Sequence, residues 1–214
     1  MGDAVHLSSA EALGASANSF VPERQLLRAP HPEGGAVLFG RSLFDELPAL
    51  RALTVSEIGP ATASLSVMQC VHQHNADSLW TILRAEDEAE PARLAGYYAY
   101  LHLNKAGYAA LEARAFDACD PDLSLLAVSG ERPAAIYVWA MVARKLRALI
   151  TPLLPQALPR TLYGDLPILA RAGTIGGLKR LNQVAATEGN DSAHGVGDLF
   201  RVDLARTGVP RAFQ

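Results

Sequence analysis

Residues 135–154 read AIYVWAMVARKLRALITPLL and decide the fold class. The first nine residues, 135–143, are dense in β-branched and aromatic side chains, which is typical of a strand. The next eleven, 144–154, space their leucines as an amphipathic helix does, and prolines close to its end predict an early stop. A strand that runs straight into a helix is the common unit of α/β folds. The stretch therefore predicts an α/β protein with this strand at the centre of its sheet.

The junction between the strand and the helix is a candidate anion site. Many α/β enzymes hold a phosphate or a thioester where a strand feeds a helix N-terminus. Glycines are usual at such a junction, but here Arg144, Lys145 and Arg147 follow the strand. Three interpretations stay open: the basic side chains hold a phosphate, they bind a partner, or they form a solvated helix face.

Length and composition indicate a folded, water-soluble chain. Of its 214 residues 50% are hydrophobic and 19% are charged, which predicts one domain with a sizeable core. We expect residues 1–40 to form a loosely ordered arm and residues 41–214 to form that domain. The net charge of −3 argues against nucleic-acid binding, and no apolar run reaches the length of a membrane span. Two cysteines without a CxxC spacing and an N-terminus without signal-peptide features predict a cytoplasmic protein.

Hydrophobic periodicity predicts a mixed sheet with helices on both faces. Helices are predicted over residues 42–53, 61–75, 107–116, 144–154 and 169–186. Strands are predicted over residues 53–59, 79–84, 93–103, 123–128, 135–143, 161–163 and 198–204, the second and third forming a hairpin.

Three pieces of the chain together resemble the GNAT acyltransferases, the N-acetyltransferase superfamily, over roughly residues 50–205. LAGYYAYLHL (94–103) is similar to the third strand of that fold, and residues 135–154 are similar to its fourth strand and cofactor-binding helix. ILARAGTIGGLKRL (168–181) is similar to its late helix, which often carries a Thr-x-x-Gly-Leu pattern. The resemblance implies a mostly antiparallel sheet that is splayed between its fourth and fifth strands.

The resemblance also implies an acyl-CoA site on the fourth strand. In the family, backbone groups of that strand contact the pantetheine arm, which here points to Val138, Ala140 and Val142. Thr174, from the Thr-x-x-Gly-Leu pattern, is a further candidate contact. The family's glycine loop around the pyrophosphate is missing, so the basic residues after the strand either replace it or mark a lost site.

Two residues are candidates for proton transfer. Many members of the family carry a tyrosine acid on the late helix, but that position falls near Leu181 here, and the nearest tyrosine in sequence is Tyr163. His102, late in the third strand, is the candidate base, and by alternation it shares a strand face with Tyr98 and Tyr100. The alternative for His102 is a polar member of a half-buried strand.

A metal is not expected. His72 and His74 are two residues apart and point in different directions on a helix, so they cannot chelate one ion together. The predicted function is transfer of an acyl group from acetyl-CoA, another acyl-CoA or an acyl-carrier protein to an amine or hydroxyl acceptor. The alternative is a non-catalytic binding or regulatory protein of the same fold, and a homodimer is left open.

Overall fold

A single open sheet organises the chain. The computed structural model describes residues 26–86, 91–143, 146, 166–173, 175–184 and 199–202. Seven strands lie side by side in chain order. They are β1 (Leu27–Pro30), β2 (Ala36–Arg41), β3 (Leu79–Ala85), β4 (Arg93–Leu103), β5 (Ala135–Val142), β6 (Ile168–Arg171) and β7 (Leu199–Val202). Every neighbouring pair is antiparallel except β5 and β6, which are parallel. The predicted class, an α/β fold with a mostly antiparallel open sheet, is confirmed.

The described helices connect these strands. They are α1 (Leu47–Glu57), α2 (Leu65–His74), α3 (Lys105–Glu112) and α4 (Ile175–Val184). Polar caps set two of the starts, because Ser64 accepts a bond from Val67 N (3.2 Å) and Asn104 accepts one from Gly107 N (3.0 Å). None of the helices in the described ranges has the length and apolar character that crossing a membrane requires.

The sheet has a hydrophobic cluster on each face. The first face is covered by α1, α2 and α3, and its buried strand residues are Leu79, Tyr97, Ala99, Leu101, Leu103, Ala135, Tyr137, Val142 and Leu169. The second face carries the residues of opposite parity, which are Val37, Phe39, Trp80, Ile82, Tyr98, Tyr100, Ile136, Ala143, Leu146 and Ile168. Burial on both faces explains why β4 and β5 read as continuous apolar runs.

The strand predicted over residues 53–59 is wrong, since these residues continue α1. Leu47, Leu50 and Thr54 lie at helical spacing and are buried against the sheet. The Thr54 hydroxyl also donates a hydrogen bond to Leu50 O (2.8 Å), one turn earlier, so this β-branched residue is accommodated in a helix.

The strand predicted over residues 123–128 is also wrong. Asp122 accepts a bond from Ser124 N (2.8 Å) and starts a 3₁₀ turn over Leu123–Leu125. Within this segment only Leu126 pairs with a strand, through one bridge to Leu103. The hydrogen bond to the aspartate therefore stabilises a turn here, despite the β propensity of residues 123–128.

The predicted helix over residues 169–186 begins too early. Ile168–Arg171 is strand β6, since its backbone is paired on both sides, and the helix starts at Ile175. Within the predicted loose arm of residues 1–40, residues 27–30 form β1 and residues 36–40 belong to β2, and β2 pairs with β3 along its whole length. The division into an arm and a domain remains a prediction.

The other predicted elements within the described ranges are confirmed. These are the strands over 79–84, 93–103, 135–143 and 198–204, the hairpin, and the helices over 42–53, 61–75 and 107–116, with ends shifted by a few residues. The predicted helix 144–154, apart from Leu146, and the predicted strand 161–163 lie outside the described residues.

Candidate functional site

The pairing between the two parallel strands ends after three positions, and the candidate site lies beyond that point. β5 and β6 pair at only three positions, from Ile136 opposite Ile168 to Val138 opposite Ala170. β5 continues to Val142, and no described strand pairs with this last part on the side of β6. The burial changes at the same point, because Ala135–Tyr137 are buried and the next four residues are half-buried. We call the space beyond Val138 and Ala170 the β5–β6 gap.

A bulge in β5 coincides with the opening of the gap. Tyr100 on β4 lies opposite Val138 and Ala99 lies opposite Ala140, so Trp139 is an extra residue in β5. Trp139 and Ala140 consequently both pack on the first face. A bulge bends its strand and increases the local twist, which is the expected cause of the separation from β6.

The bulge also changes which backbone groups point into the gap. Ile136 donates its N–H to Pro167 O (3.0 Å), on the side of β6. Along a strand, the backbone N–H and C=O groups of successive residues point to opposite neighbouring strands, just as their side chains point to opposite faces. Because Ile136 lies on the second face, the other second-face residues of β5 also direct their backbone groups toward β6. Beyond Val138 the second-face residues are Met141 and Ala143. Without the bulge, strict alternation would direct the backbone groups of Ala140 toward β6.

A close approach of β4 and β5 forms the far end of the gap. A Cβ at Gly96 would lie 2.2 Å from Val142 O, so only glycine allows this spacing. The chain then turns at once, since Leu146 donates its N–H to Ala143 O (3.3 Å) and packs on the second face. Strand β5 therefore runs into a turn without an intervening loop.

On the first face, Tyr137, Trp139 and Arg171 flank the start of the gap. Trp139 donates its indole N–H to Ala118 O (2.6 Å), in the segment that follows α3. Burial raises the pKa of Tyr137, while the nearby Arg171 guanidinium opposes this shift, so the phenol keeps its proton at neutral pH. Arg171 donates to Leu111 O (3.4 Å), at the end of α3.

A second group of polar side chains lies on the same face, between α1 and β4. The Tyr97 hydroxyl makes a short hydrogen bond with Thr54, and Arg51 donates to Pro60 O (3.3 Å) in the α1–α2 connection. This connection reaches β6, because a Cβ at Gly173 would lie 3.9 Å from Ile58 Cγ2. The α1–α2 corner therefore lies beside the chain that leaves β6.

The structure places His102 away from the gap. His102 lies opposite Ile136, three residues or about 10 Å along β4 from the bulge. Burial lowers its pKa to about 4, with the charge of Asp77 opposing the shift, so the ring is neutral at pH 7. Its Nδ1 lies 3.5 Å from Ser78 Oγ. The predicted face is confirmed, since Tyr98 and Tyr100 belong to the second face and Tyr97 and Ala99 to the first.

The other predicted site residues divide into two groups. Val138 closes the paired part of β5, whereas Ala140 and Val142 lie opposite Ala99 and Tyr97 of β4. Their contact with a donor remains a prediction. Five predicted residues lie outside the described residues, namely Arg144, Lys145, Arg147, Tyr163 and Thr174.

Sequence reasoning missed three polar residues that the fold brings to the first face. Arg51 and Arg171 were assigned to helices, where a lone arginine reads as a solvated side chain, and Tyr137 was read as one apolar member of a strand. The available signal was the alternation of Tyr137 and Trp139, which places two aromatic residues with polar groups on one strand face.

The two histidines of α2 make separate contacts. His72 Nε2 lies 2.9 Å from Ser42 O and His74 Nε2 lies 3.3 Å from Leu126 O. Within the described ranges no three histidine, cysteine or acidic side chains are grouped so that they could hold a metal ion.

Comparison with known proteins finds no protein family whose model matches the chain and no curated protein whose sequence matches it.

Proposed function

We propose that the protein is an acyltransferase with a GNAT-like fold, which transfers an acyl group from a thioester donor to an amine or hydroxyl acceptor. The observation that carries the proposal is that the pairing of the parallel strands β5 and β6 ends at Val138, next to the Trp139 bulge. A wedge between two parallel strands exposes the edge of a strand inside the sheet rather than at its rim. The same arrangement is what the GNAT resemblance of the sequence implies.

The edge of β5 suits the arm of a thioester donor. A pantetheine arm is an extended chain with two amide groups, so it can pair with a strand edge as an added strand does. In the β5–β6 gap the backbone groups of Met141 supply a donor and an acceptor for such pairing, while Val138 still pairs with Ala170. The half-buried side chains around them would remove the arm from water.

The chemistry of the transfer is balanced without a further reactant. The acceptor nitrogen or oxygen forms a bond to the acyl carbon, the carbon–sulfur bond breaks, and the thiolate leaves. One proton is lost by the acceptor and one is gained by the sulfur. A backbone N–H of β5 at the bulge would stabilise the carbonyl oxygen as it gains charge, as the GNAT resemblance implies.

Tyr137 is the described residue best suited to protonate the sulfur. It lies one residue before Val138 at the start of the gap, and its raised pKa keeps it in the protonated form. Arg171 would stabilise the phenolate after transfer. His102 is a weaker candidate base, because it is buried at the closed end of the paired strands. Tyr163 remains an alternative acid.

The form of the donor is the open part of the proposal. Residues 144–148 contain no glycine, so the family's pyrophosphate loop is missing from the sequence. Basic side chains at 144, 145 and 147 suit the phosphate of a carrier-bound pantetheine at least as well as free CoA. Acetyl-CoA and acetyl-phosphopantetheine should therefore be compared as donors.

The test removes one backbone donor from the gap. Met141→Pro deletes an N–H that points into the gap, and Met141→Ala is the matched control that keeps it. Calorimetric titration with acetyl-CoA and with acetyl-phosphopantetheine should show binding to the wild type and to Met141→Ala and at least tenfold weaker binding to Met141→Pro, while circular dichroism confirms that all three are folded.

Acyl transfer itself should be followed by chromatographic detection of the released thiol compound, since Cys70 and Cys119 are free and exposed and would react with a thiol reagent. Absence of binding of either donor at millimolar concentration would overturn the proposal.

The second candidate function is a non-catalytic binding or regulatory protein that kept the fold. It is favoured by residues 144–148, which follow β5 and carry no glycine for a pyrophosphate loop. Donor binding that depends on Met141 without any acyl transfer to amines or alcohols would select this alternative.

A further inference from the structure

Two arginines on the first face have unused hydrogen-bonding capacity. Arg51 Nη1 and Arg171 Nε are buried atoms without a hydrogen-bond partner in the described part of the protein. No carboxylate of the described residues lies within salt-bridge distance of either guanidinium. Both residues are half-buried and each already donates through Nη2, so each guanidinium has one buried N–H that an oxyanion could still accept.

Arg171 is the better placed of the two for a ligand. It follows Ala170, the last residue of β6 that pairs with β5, and shares the first face with Tyr137. Its bond to Leu111 O is long, at 3.4 Å, and that oxygen already accepts the N–H of Arg114 at 3.2 Å. Capping α3 therefore uses little of the guanidinium. The Nε–H and one Nη2–H form the fork that binds a carboxylate through both oxygens.

Arg51 approaches the same face from the other side of β5. It lies on α1 close enough to Tyr97 for its charge to oppose the rise in that tyrosine's pKa, and Tyr97 pairs with Val142 at the far end of the gap. Its Nη2 is held by Pro60 O, in the connection that leads to α2. The first face of the gap is thus flanked by positive charge on two sides.

We infer that the acceptor carries a carboxylate, and that Arg171 binds this carboxylate on the first face of the β5–β6 gap while Arg51 adds positive charge from α1. The acceptor class is an amine or alcohol with an acid group, such as an amino acid. This inference rests on the proposed acyl transfer, because it names the substrate of that reaction.

A phosphate of the donor is the other anion that these arginines could meet, and the packing at the end of β5 argues against it. Ala143 and Leu146, the described residues nearest the basic positions, both pack on the second face. A donor whose phosphate lies near those positions would enter the gap from the second face. The acceptor would then lie on the first face, beside Tyr137 and Arg171.

The test uses pairs of probes that differ only in the acid group. N-acetyl derivatives of glycine, β-alanine, glutamate and phenylalanine are compared with their carboxamides by NMR titration of the full chain, with and without acetyl-CoA. We expect at least one carboxylate to bind about tenfold or more tightly than its amide, and Arg171→Gln to abolish that preference. Arg171→Lys, which keeps the charge but not the fork, should retain part of it.

The control is Lys105→Gln, which removes one positive charge from an exposed position at the opposite end of α3. It should leave the preference unchanged, and circular dichroism should show that each variant is folded. Arg51→Gln should weaken carboxylate binding by a smaller factor. Inorganic phosphate is the competing probe. If phosphate displaces acetyl-CoA but displaces none of the carboxylate probes, the arginines bind the donor and the inference is overturned.

The inference and the proposed function fail in different ways. Equal binding of every acid and amide pair, together with donor binding and acyl transfer, would overturn the inference and leave the acyltransferase standing. A carboxylate preference that depends on Arg171, without any donor binding, would support the anion site and overturn the proposed reaction.

Discussion

Replacing Gly96 by alanine should force β4 and β5 apart at the far end of the gap. The added Cβ would lie 2.2 Å from Val142 O and 3.1 Å from Ala143 Cα. An ordinary contact between carbon and oxygen is about 3.3 Å, so the two backbones must separate by roughly 1 Å. Neither contact atom belongs to a side chain that could rotate away. Overpacking of this kind costs about 1–3 kcal/mol, which corresponds to a loss of about 2–12 °C in Tm for a chain of this size.

The matched control is Gly173→Ala, beside β6. There the new Cβ would lie 3.9 Å from Ile58 Cγ2, an ordinary contact, so the change in stability should stay within about 0.5 kcal/mol. Urea unfolding followed by circular dichroism measures both variants. Equal stability of Gly96→Ala and the wild type would refute the close approach of the strands. An equal loss of stability in Gly96→Ala and Gly173→Ala would refute the claim that the close contact is specific to Gly96.

Three further predictions concern buried polar groups. Tyr97→Phe removes the hydroxyl bonded to Thr54 and should cost about 1 kcal/mol in urea unfolding, and no loss would show that the bond contributes nothing. The pKa of His102 is about 4 in the folded state and near 6.5 when unfolded, so the unfolded chain binds the extra proton as the pH falls between these values. Stability should therefore be constant above pH 6.5 and fall by about 3 kcal/mol toward pH 4, and this loss should be smaller in His102→Gln. Trp139→Phe removes the indole N–H that bonds Ala118 O and should cost about 1 kcal/mol by urea unfolding, whereas an unchanged midpoint would contradict that bond.

The long apolar strands could be predicted from the chain, and the short pieces could not. β4 and β5 are dense in apolar and aromatic residues, so their pattern agrees with any sheet that buries both faces. β6 is four residues long and ambiguous by pattern, since ILAR also suits a helix. It becomes a strand because β5 and β7 offer partners on its two sides. Tertiary contacts also decide residues 53–59, where a strand was predicted. Leu50 and Thr54 are buried at helical spacing, so this stretch continues a helix.

Of the candidate site, the sequence indicated the strand but not its most informative residues. Val138 was singled out from the sequence. The bulge, however, shifts the alternation of backbone directions by one residue, so the backbone groups of Met141 face the gap. A bulge arises from the register between two strands, and register is a relation between distant parts of the chain. Arg51 and Arg171 have no sequence signal, because a lone arginine gains meaning only from its neighbours in space.

The amino-acid pattern alone was enough for the fold class and the order of the long elements, whereas the strand at residues 135–143, predicted at the centre of the sheet, is the fifth of seven beside the central β4. These properties depend on periodicity and burial, which are local or averaged over many residues. The tertiary structure alone decided where β5 and β6 part, which backbone edge the bulge exposes, and that two arginines share a face with unpaired donors. Each of these depends on pairing between segments far apart in the chain, which no single stretch of sequence encodes.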